Sequence, residues 1–304
     1  MSDASRADKS SVIRDHRRQW RQCLYVYPVI SRRSRGLSIG INLNPDKRCN
    51  FSCLYCQIDR RIPRGLHEVD LSILAEELRL ALREAASGAL WCESRFAATP
   101  PEMRRINDIA FSGDGEPTCS EDFEHACRMA AEVKAELDLE QVKIVVITNA
   151  SRLHSQTFRR ALPILDSNGG EIWAKLDAGT EEMFRQINRP HPDVTLRRIV
   201  RNITSVAIQR PVVIQSLFIR LDGRRPGRRD IAAYCDRLKE IIETGGRIKL
   251  VQVHTIARSP TEACAKALDD GDLDAVAERI RRAVAPVPVE TYYGQDVPPQ
   301  EAVP

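Results

Sequence analysis

The sequence predicts an α/β protein, a partial (β/α)6 TIM-like barrel with a parallel sheet. Six short segments rich in β-branched and other apolar residues, typical of buried strands, alternate with longer segments in which apolar residues recur at helical spacing. This alternation is typical of parallel sheets whose strands are joined by right-handed helical crossovers. In addition, small and polar residues follow the ends of the first four strands, where parallel sheets usually carry their active-site residues.

Each predicted element is bounded by residues that favour its start or its end. Asp70 and Ser120 are good N-caps for the first two helices, and Pro190 interrupts a long helical segment. Leucines at positions 71, 74, 78 and 82 share one face of the first helix. The predicted strands cover residues 37–43, 108–112, 142–148, 171–176, 211–219 and 248–255. The predicted helices cover residues 70–88, 120–137, 155–165, 180–207, 227–244 and 272–284, and a short strand follows over 287–292.

The chain is predicted to have three parts. Residues 1–35 form a basic, partly disordered N-terminal extension, residues 36–256 form the core barrel, and residues 257–304 contain a helix, a short strand and a flexible tail. Residues 1–64 carry fourteen Lys and Arg against five Asp and Glu, a net charge of +9, whereas the whole chain carries +4. Such a basic segment either attracts an anionic partner, such as RNA, or is a solvated arm.

The composition is that of an ordinary globular protein, with 42% apolar and 29% charged residues. No apolar run is long enough to span a bilayer, and residues 1–11 lack the apolar stretch of a signal peptide. We therefore expect a cytoplasmic protein without a membrane partner. The cysteines that lack motif spacing are expected to be ordinary reduced residues: Cys23, Cys92, Cys119, Cys127, Cys235 and Cys264.

The most informative motif is a cysteine triplet directly after the first strand. Cys49, Cys53 and Cys56 have the spacing CxxxCxxC, and no fourth cysteine follows at motif spacing. A [4Fe–4S] cluster normally takes four thiolates, one for each iron, so three thiolates leave one iron open to a further ligand. A zinc site would need a fourth Cys or His, and no His lies between His16 and His67. Three unrelated buried cysteines are the other alternative.

A glycine-rich loop, residues 112–118 (SGDGEPT), follows the second strand. Gly113 and Gly115 let backbone amides approach a ligand without interference from a Cβ atom. The turn can form a nest of N–H groups, and the Glu116 carboxylate can accept a hydrogen bond from an ammonium. The same pattern also fits a tight strand–helix turn, but its place one strand after the cysteine loop favours a ligand-binding loop.

Together, the two loops resemble the radical S-adenosylmethionine (SAM) superfamily over residues 36–256. Four stretches are similar to a bacterial branch related to the wyosine-base-forming tRNA enzymes: residues 40–45 (GINLNP), 112–118, 175–180 (KLDAGT) and 187–190 (INRP). Many superfamily members have Gly-Gly-Glu-Pro, whereas here Asp114 separates Gly113 from Gly115. The amide that faces the ligand is therefore left open.

The resemblance implies two cofactors, a [4Fe–4S] cluster and SAM. Cys49, Cys53 and Cys56 would hold three irons, and SAM would chelate the fourth through its amino and carboxylate groups. One electron from the reduced cluster would cleave a C–S bond of SAM and give a 5′-deoxyadenosyl radical that abstracts a hydrogen atom. The implied partner is a reductant such as flavodoxin or ferredoxin.

The resemblance also implies which residues would contact SAM. Gly113, Gly115 and Glu116 would receive the methionine ammonium, with Asp114 in the same loop, and Tyr55 would either lie near the adenine or pack in the core. Candidates for contacts with the carboxylate and ribose are Asn149, Lys175 and Asp177, although Lys175 could instead pair with Asp177. Gln215 and Gln252 sit in otherwise apolar strands, where inward-facing polar residues would line the cavity.

Three functions follow from these patterns. The first is a radical SAM enzyme that acts on an unknown substrate. The second is an Fe–S electron-transfer or sensor protein that has lost catalysis. The third is an RNA-binding, tRNA-modifying member of the same superfamily, in which the basic N-terminal region contacts phosphates and Trp20, Tyr25 and Tyr27 stack on bases.

Overall fold

The computed structural model of the chain describes residues 20–60, 68–258 and 260–294. The first 19 residues of the predicted extension and the predicted tail from residue 295 lie outside the described residues. The chain divides into two compact units. The first contains the residues up to Asn50, Arg60–Thr148 and Arg152–Trp173; the second contains Phe51–Asp59, Asn149–Ser151 and the residues from Ala174 onward.

The first unit is built on strands that neighbour one another in chain order. They are β1 (Val26–Ser31), β2 (Gly36–Ile41), β3 (Ile106–Phe111), β4 (Lys143–Thr148) and β5 (Glu171–Lys175). β1 is antiparallel to β2, whereas β2, β3 and β4 are parallel. The helices of this unit are α1 (Leu71–Ala86), α2 (Phe123–Glu136) and α3 (Gln156–Asp166). The division between the units falls within β5, after Trp173.

The local chemistry of α1 explains its start and its orientation. The Asp70 carboxylate accepts the backbone N–H groups of Ser72 and Ile73, which makes Asp70 the N-cap. Leu74, Leu78 and Leu82 are all fully buried on one face of the helix. The sequence prediction of this helix is confirmed.

The second unit contains the last two residues of β5 and the remaining strands. These are β6 (Val212–Leu217), β7 (Ile219–Leu221), β8 (Ile248–His254), β9 (Ala265–Ala267) and β10 (Val289–Tyr292). The Leu176 N–H after β5 donates to Gln215 on β6, and β6, β8 and β10 follow as parallel neighbours. β7 and β9 form a separate antiparallel pair. The helices are α4 (Glu181–Asn188), α5 (Leu196–Gln209), α6 (Arg228–Glu243) and α7 (Asp270–Val284).

The structure confirms the α/β class, the parallel pairing and the predicted helices. Ser120 does not cap α2, which begins at Phe123, because Ser120 ends a short 3-10 helix at Pro117–Cys119. The long helical segment 180–207 is interrupted as predicted, because α4 ends at Asn188 and Arg189 adopts a left-handed backbone conformation with φ of 41°. Three strands were not predicted: β1, β9 and β7, the last because the strand predicted over residues 211–219 ends as β6 at Leu217. β1 contains Pro28, which lowers strand propensity but is tolerated at the edge of a sheet.

The aromatic residues near the N-terminus are part of the core of the first unit. Trp20 and Tyr25 are each 2% exposed, and Tyr27 is 5% exposed. The prediction that these rings stack on RNA bases is wrong, because base stacking needs an accessible aromatic face. Among the residues that the structure describes, no helix combines the length and the apolar character needed to cross a membrane.

Candidate functional site

In the first unit, the glycine-rich loop after β3 is held by Asn42, the residue that follows β2. Asn42 Oδ1 accepts the Asp114 N–H at 3.1 Å, and Asn42 Nδ2 donates to the Asp114 carboxylate at 3.0 Å. A Cβ atom on Gly113 would lie only 2.3 Å from Asn42 Oδ1, so this pair requires glycine at position 113. Asp114 itself is buried. The residue that departs from Gly-Gly-Glu-Pro is therefore fixed by a reciprocal hydrogen-bonded pair.

The same loop contacts residues on both sides of the cysteine motif, one just before Cys49 and one shortly after Cys56. A Cβ atom on Gly115 would lie 2.0 Å from the carbonyl oxygen of Arg48, the residue before Cys49. On the other side of the motif, Arg60 Nη2 donates to the Asp114 carbonyl at 3.0 Å. Glycine at position 115 thus lets the loop approach the backbone next to the first motif cysteine.

Glu116 is a buried carboxylate with a fixed orientation. Its Oε1 atom accepts the hydroxyls of Thr118 and Thr148, each at 2.6 Å, and the Thr118 N–H at 3.2 Å. Glu116 is 3% exposed, and Thr148 is the last residue of β4. Hydrogen bonds to an ionised carboxylate are stronger than those between neutral groups, so this side chain is held in one rotamer.

In the second unit, the middle of the cysteine loop is anchored to the end of α4. The Ser52 N–H donates to Arg189 O at 3.0 Å, and the Leu54 N–H donates to Ile187 O at 2.9 Å. The Leu54 side chain is 2% exposed and belongs to a small apolar cluster with Ile187. These contacts fix the backbone on both sides of Cys53.

The carbonyl oxygen of Cys56 is bound from a different part of the second unit. It accepts both the backbone N–H and the hydroxyl of Thr261, each at 3.1 Å. The Cys56 N–H donates to Cys53 O at 3.0 Å and closes a turn between the two cysteines. The three motif cysteines are reduced and have intermediate exposure.

The cysteines outside the motif have a different environment. Burial raises the pKa of Cys23 to about 11, with a smaller contribution from the charge of Glu77. Burial also raises the pKa of Cys127 and of Cys235. A raised pKa keeps a thiol protonated, and it is the thiolate that binds metal, so these three residues are poor ligands.

Tyr55 and Asp177 form a buried network beside Cys53. The Tyr55 hydroxyl donates to Asp177 Oδ2 at 2.5 Å, and Asn188 Nδ2 donates to the same oxygen at 2.7 Å. Asp177 Oδ1 accepts the Leu217 N–H at 2.9 Å. Burial of the hydroxyl, followed by the nearby charges of Asp177 and Cys53, raises the pKa of Tyr55 well above its usual value. Asn188 lies in the stretch INRP, but the sequence did not predict its contact with Asp177.

Lys175 and Asn149 have contacts of other kinds. The Lys175 ammonium lies 5.7 Å from the centroid of the Tyr55 ring, within the range of a cation–π interaction. Asn149 Oδ1 accepts the Ser151 N–H at 3.0 Å in the turn after β4. Asn202 stabilises this turn by donating to the Ala150 carbonyl at 2.9 Å. Hydrogen bonds therefore hold the turn after β4, and Lys175 lies beside the Tyr55 ring.

Gln215 and Gln252 face each other across two parallel strands. They are register partners on β6 and β8, and each is 1% exposed. Gln215 Nε2 donates to Gln252 Oε1 at 3.1 Å. The structure thus brings these two predicted residues together as a buried hydrogen-bonded pair.

The donor set of the motif suits soft metal chemistry. Across residues 20–60, 68–258 and 260–294, no three His, Cys, Asp or Glu side chains are grouped so as to hold one metal ion. The thiolates of a [4Fe–4S] cluster bind different irons, so they are spaced further apart than the ligands of a single ion. Partly exposed thiols on an anchored loop fit such a cluster.

No protein-family model matches the chain. It is similar to a protein named GTPase Obg of Brachyspira hyodysenteriae, with 28% identity over 254 residues, 81% of this chain and 32% of that protein. It is also similar to a UPF0026 protein of Methanocaldococcus jannaschii, with 30% identity over 181 residues, 58% of this chain and 47% of that protein. A UPF0026 protein of Helicobacter pylori is 25% identical over 217 residues, 70% of this chain and 61% of that protein. The chain spans between about a third and three fifths of the length of these relatives.

Three solved structures share the fold. A radical SAM methyltransferase of Sphaerobacter thermophilus matches with a TM-score of 0.60 and 13% identity, over 88% of this chain and 69% of that one. SuiB of Streptococcus suis bound to S-adenosylmethionine matches with a TM-score of 0.56 and 16% identity, over 86% and 52%. TYW1 with a lysine-pyruvate adduct matches with a TM-score of 0.51 and 12% identity, over 82% and 74%.

At these identities the likeness concerns the fold. The predicted class, a partial TIM-like barrel with a parallel sheet, is confirmed by it. The resemblance that the cysteine and glycine loops indicated is confirmed at the same level: the chain shares its fold with a radical SAM methyltransferase.

Proposed function

We propose that the chain is a radical SAM enzyme in which Cys49, Cys53 and Cys56 hold a [4Fe–4S] cluster that leaves one iron open to SAM. The observation that carries this proposal is the CxxxCxxC triplet of reduced, partly exposed cysteines in a chain that shares its fold with a radical SAM methyltransferase. When bound, the cluster and SAM supply a 5′-deoxyadenosyl radical that abstracts hydrogen from a substrate. The proposed enzyme core is residues 36–256, and the proposed electron donor is a reductant such as flavodoxin or ferredoxin.

The chain's own contribution is to hold the ligating loop in place. Leu54 is buried in the core between two of the cysteines, and its N–H is bound by Ile187 O. Thr261 fixes the carbonyl oxygen of Cys56. A metal site works best when its ligands are positioned by supporting contacts before the metal arrives.

The glycine-rich loop is the proposed site for the methionine end of SAM. Its backbone approaches the cysteine segment at Gly115, where no Cβ is present, and Glu116 offers a negative charge to an ammonium. Asp114 holds this loop to Asn42 through two hydrogen bonds, and we assign Asp114 a structural role. The buried position of Glu116 strengthens its interaction with a cation, because few water molecules compete.

The other residues that the sequence resemblance assigns to SAM lie in the second unit. Tyr55, whose hydroxyl is held by Asp177, is proposed to place its ring against the adenine. Lys175 beside that ring is proposed to meet the carboxylate, and Asn149 the ribose. The Gln215 and Gln252 pair is proposed to line the cavity wall.

The test is anaerobic reconstitution with iron and sulfide, followed by dithionite and SAM. We expect iron and sulfide in the ratio of a [4Fe–4S] cluster and the formation of 5′-deoxyadenosine. Cys53→Ala should lose both, whereas Cys92→Ala, which removes an exposed cysteine outside the motif, should keep both. A wild-type protein that holds the cluster but makes no 5′-deoxyadenosine and binds no SAM by calorimetry would instead be an electron-transfer or sensor protein.

A further inference from the structure

Asn188, the last residue of α4, lies at the centre of a buried polar network. Its side chain is 3% exposed. The amide nitrogen donates to Asp177 Oδ2 at 2.7 Å and lies 3.3 Å from the Tyr55 hydroxyl. The same nitrogen lies 3.8 Å from Cys53 Sγ, within the longer hydrogen-bonding range of sulfur.

The backbone places Asn188 directly opposite Cys53. Residues 52 and 54 donate their N–H groups to the carbonyl oxygens of residues 189 and 187, so the two segments run antiparallel. Phe51 and Pro190 continue this pairing as an antiparallel bridge. Directly opposed residues of an antiparallel pair project their side chains to the same face. The antiparallel backbone pairing therefore brings the Asn188 amide close to the Cys53 sulfur.

The orientation of the Asn188 amide is fixed by its neighbours. Its nitrogen faces a carboxylate oxygen and a sulfur, which are both acceptors, so a rotated amide would bring its oxygen against them. In the observed orientation Oδ1 is buried and has no hydrogen-bond partner. Leaving a buried acceptor unsatisfied costs free energy. The contacts of the nitrogen with Asp177 and Cys53 therefore outweigh that cost.

We infer that Asn188 is a positioning residue for the ligand Cys53: its amide, oriented by Asp177, donates an N–H···S hydrogen bond to the thiolate. This inference rests on the proposed function. A protein sets the reduction potential of a cluster partly through hydrogen bonds to the cluster sulfurs and through the residues that orient the ligands. A donor to sulfur stabilises the electron-rich, reduced cluster, so its loss lowers the reduction potential.

The experiment compares reconstituted wild type with Asn188→Leu, which keeps the branched shape and the number of side-chain heavy atoms and removes the donor. Thr204→Val is the matched control, because it removes a buried hydrogen bond of the same unit, from Thr204 Oγ1 to Val200 O on α5. An EPR-monitored redox titration is the primary readout. We expect a lower potential in Asn188→Leu and the wild-type potential in Thr204→Val.

The second readout is the coupling of exchangeable deuterons to the reduced cluster in D2O, measured by electron–nuclear double resonance. We expect one coupling of the wild type to be absent from Asn188→Leu. An unchanged potential together with unchanged couplings overturns the inference while the proposed function stands. If the variant does not fold, the wild-type spectrum decides, since the absence of an exchangeable deuteron coupled through a sulfur ligand overturns the inference. A wild type that takes up no cluster overturns the proposed function itself.

Discussion

The two glycines of the loop after β3 are required by atoms that occupy the space of a Cβ. Gly113 faces the amide of Asn42, and Gly115 faces the carbonyl oxygen of Arg48. Asp114 needs no such freedom and uses its side chain to bind Asn42. The spacing Gly-Asp-Gly therefore preserves both close approaches and adds a side-chain contact between them.

Gly115→Ala tests this packing. The new Cβ would lie 2.0 Å from a backbone oxygen, which cannot rotate away as a side chain could. We expect the free energy of unfolding to fall by about 1–3 kcal/mol and the uptake of iron to decrease. Denaturant unfolding and iron analysis measure the two effects. Gly271→Ala is the control, because a Cβ there meets no atom within 4 Å, and it should lose neither stability nor iron. Equal behaviour of the two variants would contradict the assignment.

Asp108 makes the stability of the first unit depend on pH. It is 2% exposed on β3, where the Ser38 hydroxyl donates to it from the neighbouring strand. Burial raises the pKa of this carboxyl above its usual value, even though hydrogen bonds from Ser38 and Asn107 oppose the shift. The native state therefore holds the proton more tightly than the unfolded chain, and ionisation costs stability as the pH rises from about 4 toward the native pKa.

Asp108→Asn should remove this pH dependence. The variant cannot ionise, so its thermal midpoint relative to wild type should be higher at pH 7 than at pH 3.5. Differential scanning calorimetry at several pH values measures the difference. Asp236→Asn, at an exposed position on α6, is the control and should show no comparable trend. A constant difference between wild type and Asp108→Asn across this range would contradict the expectation.

Single residues also show where sequence patterns stop being informative. The three cysteines, the glycine-rich loop, Tyr55 and Asp177 could be proposed as site residues from motifs and from their places after strands. Asn188 could not, because an asparagine at a helix end is equally well explained as a terminating residue. Its contacts with Asp177 and Cys53 depend on the pairing of residues 52–54 with residues 187–189.

At the scale of elements, Glu77 of α1 anchors the edge strand that the sequence did not predict. Its carboxylate accepts the N–H groups of Leu24, Tyr25 and Val26 at 2.7 to 3.0 Å. The strands of the parallel sheet could be predicted, because buried parallel strands are continuous apolar runs. β7 was missed, because it has only three residues. β1 depends on a carboxylate from a distant helix, and β9 has only three residues, which is too short for a recognisable period.

Lys134 connects three elements of the first unit. Its buried ammonium donates to the carbonyl oxygens of Glu140, Val142 and Asn168 at 3.3, 3.0 and 3.2 Å. These oxygens lie in the α2–β4 connection and in the turn before β5. One charged side chain at the end of α2 therefore ties together the connections that precede two strands.

Lys134→Met should weaken all of these connections at once. The methionine keeps the packing of the aliphatic stem but leaves three carbonyl groups without their donor. We expect the free energy of unfolding to fall by about 3 kcal/mol, as measured by urea unfolding. Lys239→Met, which removes an exposed lysine on α6, should change it by less than about 0.5 kcal/mol. A loss of similar size in both variants would show that the three hydrogen bonds are not responsible.

At the scale of the whole molecule, the proposed binding of SAM to the native state would stabilise the fold by an amount that rises with the logarithm of the SAM concentration relative to its dissociation constant. A ligand at a hundred times its dissociation constant adds about 2.7 kcal/mol, which for a chain of this length corresponds to a rise of roughly 5 °C in the unfolding midpoint. We expect this rise when SAM is added anaerobically to the reconstituted protein, and we expect it to disappear in Cys53→Ala, because SAM then lacks the open iron. Cys92→Ala should respond as the wild type does, since this exposed cysteine lies outside the motif. Scanning calorimetry with and without SAM measures the shift, and an equal shift in Cys53→Ala would mean that SAM binds independently of the cysteine loop.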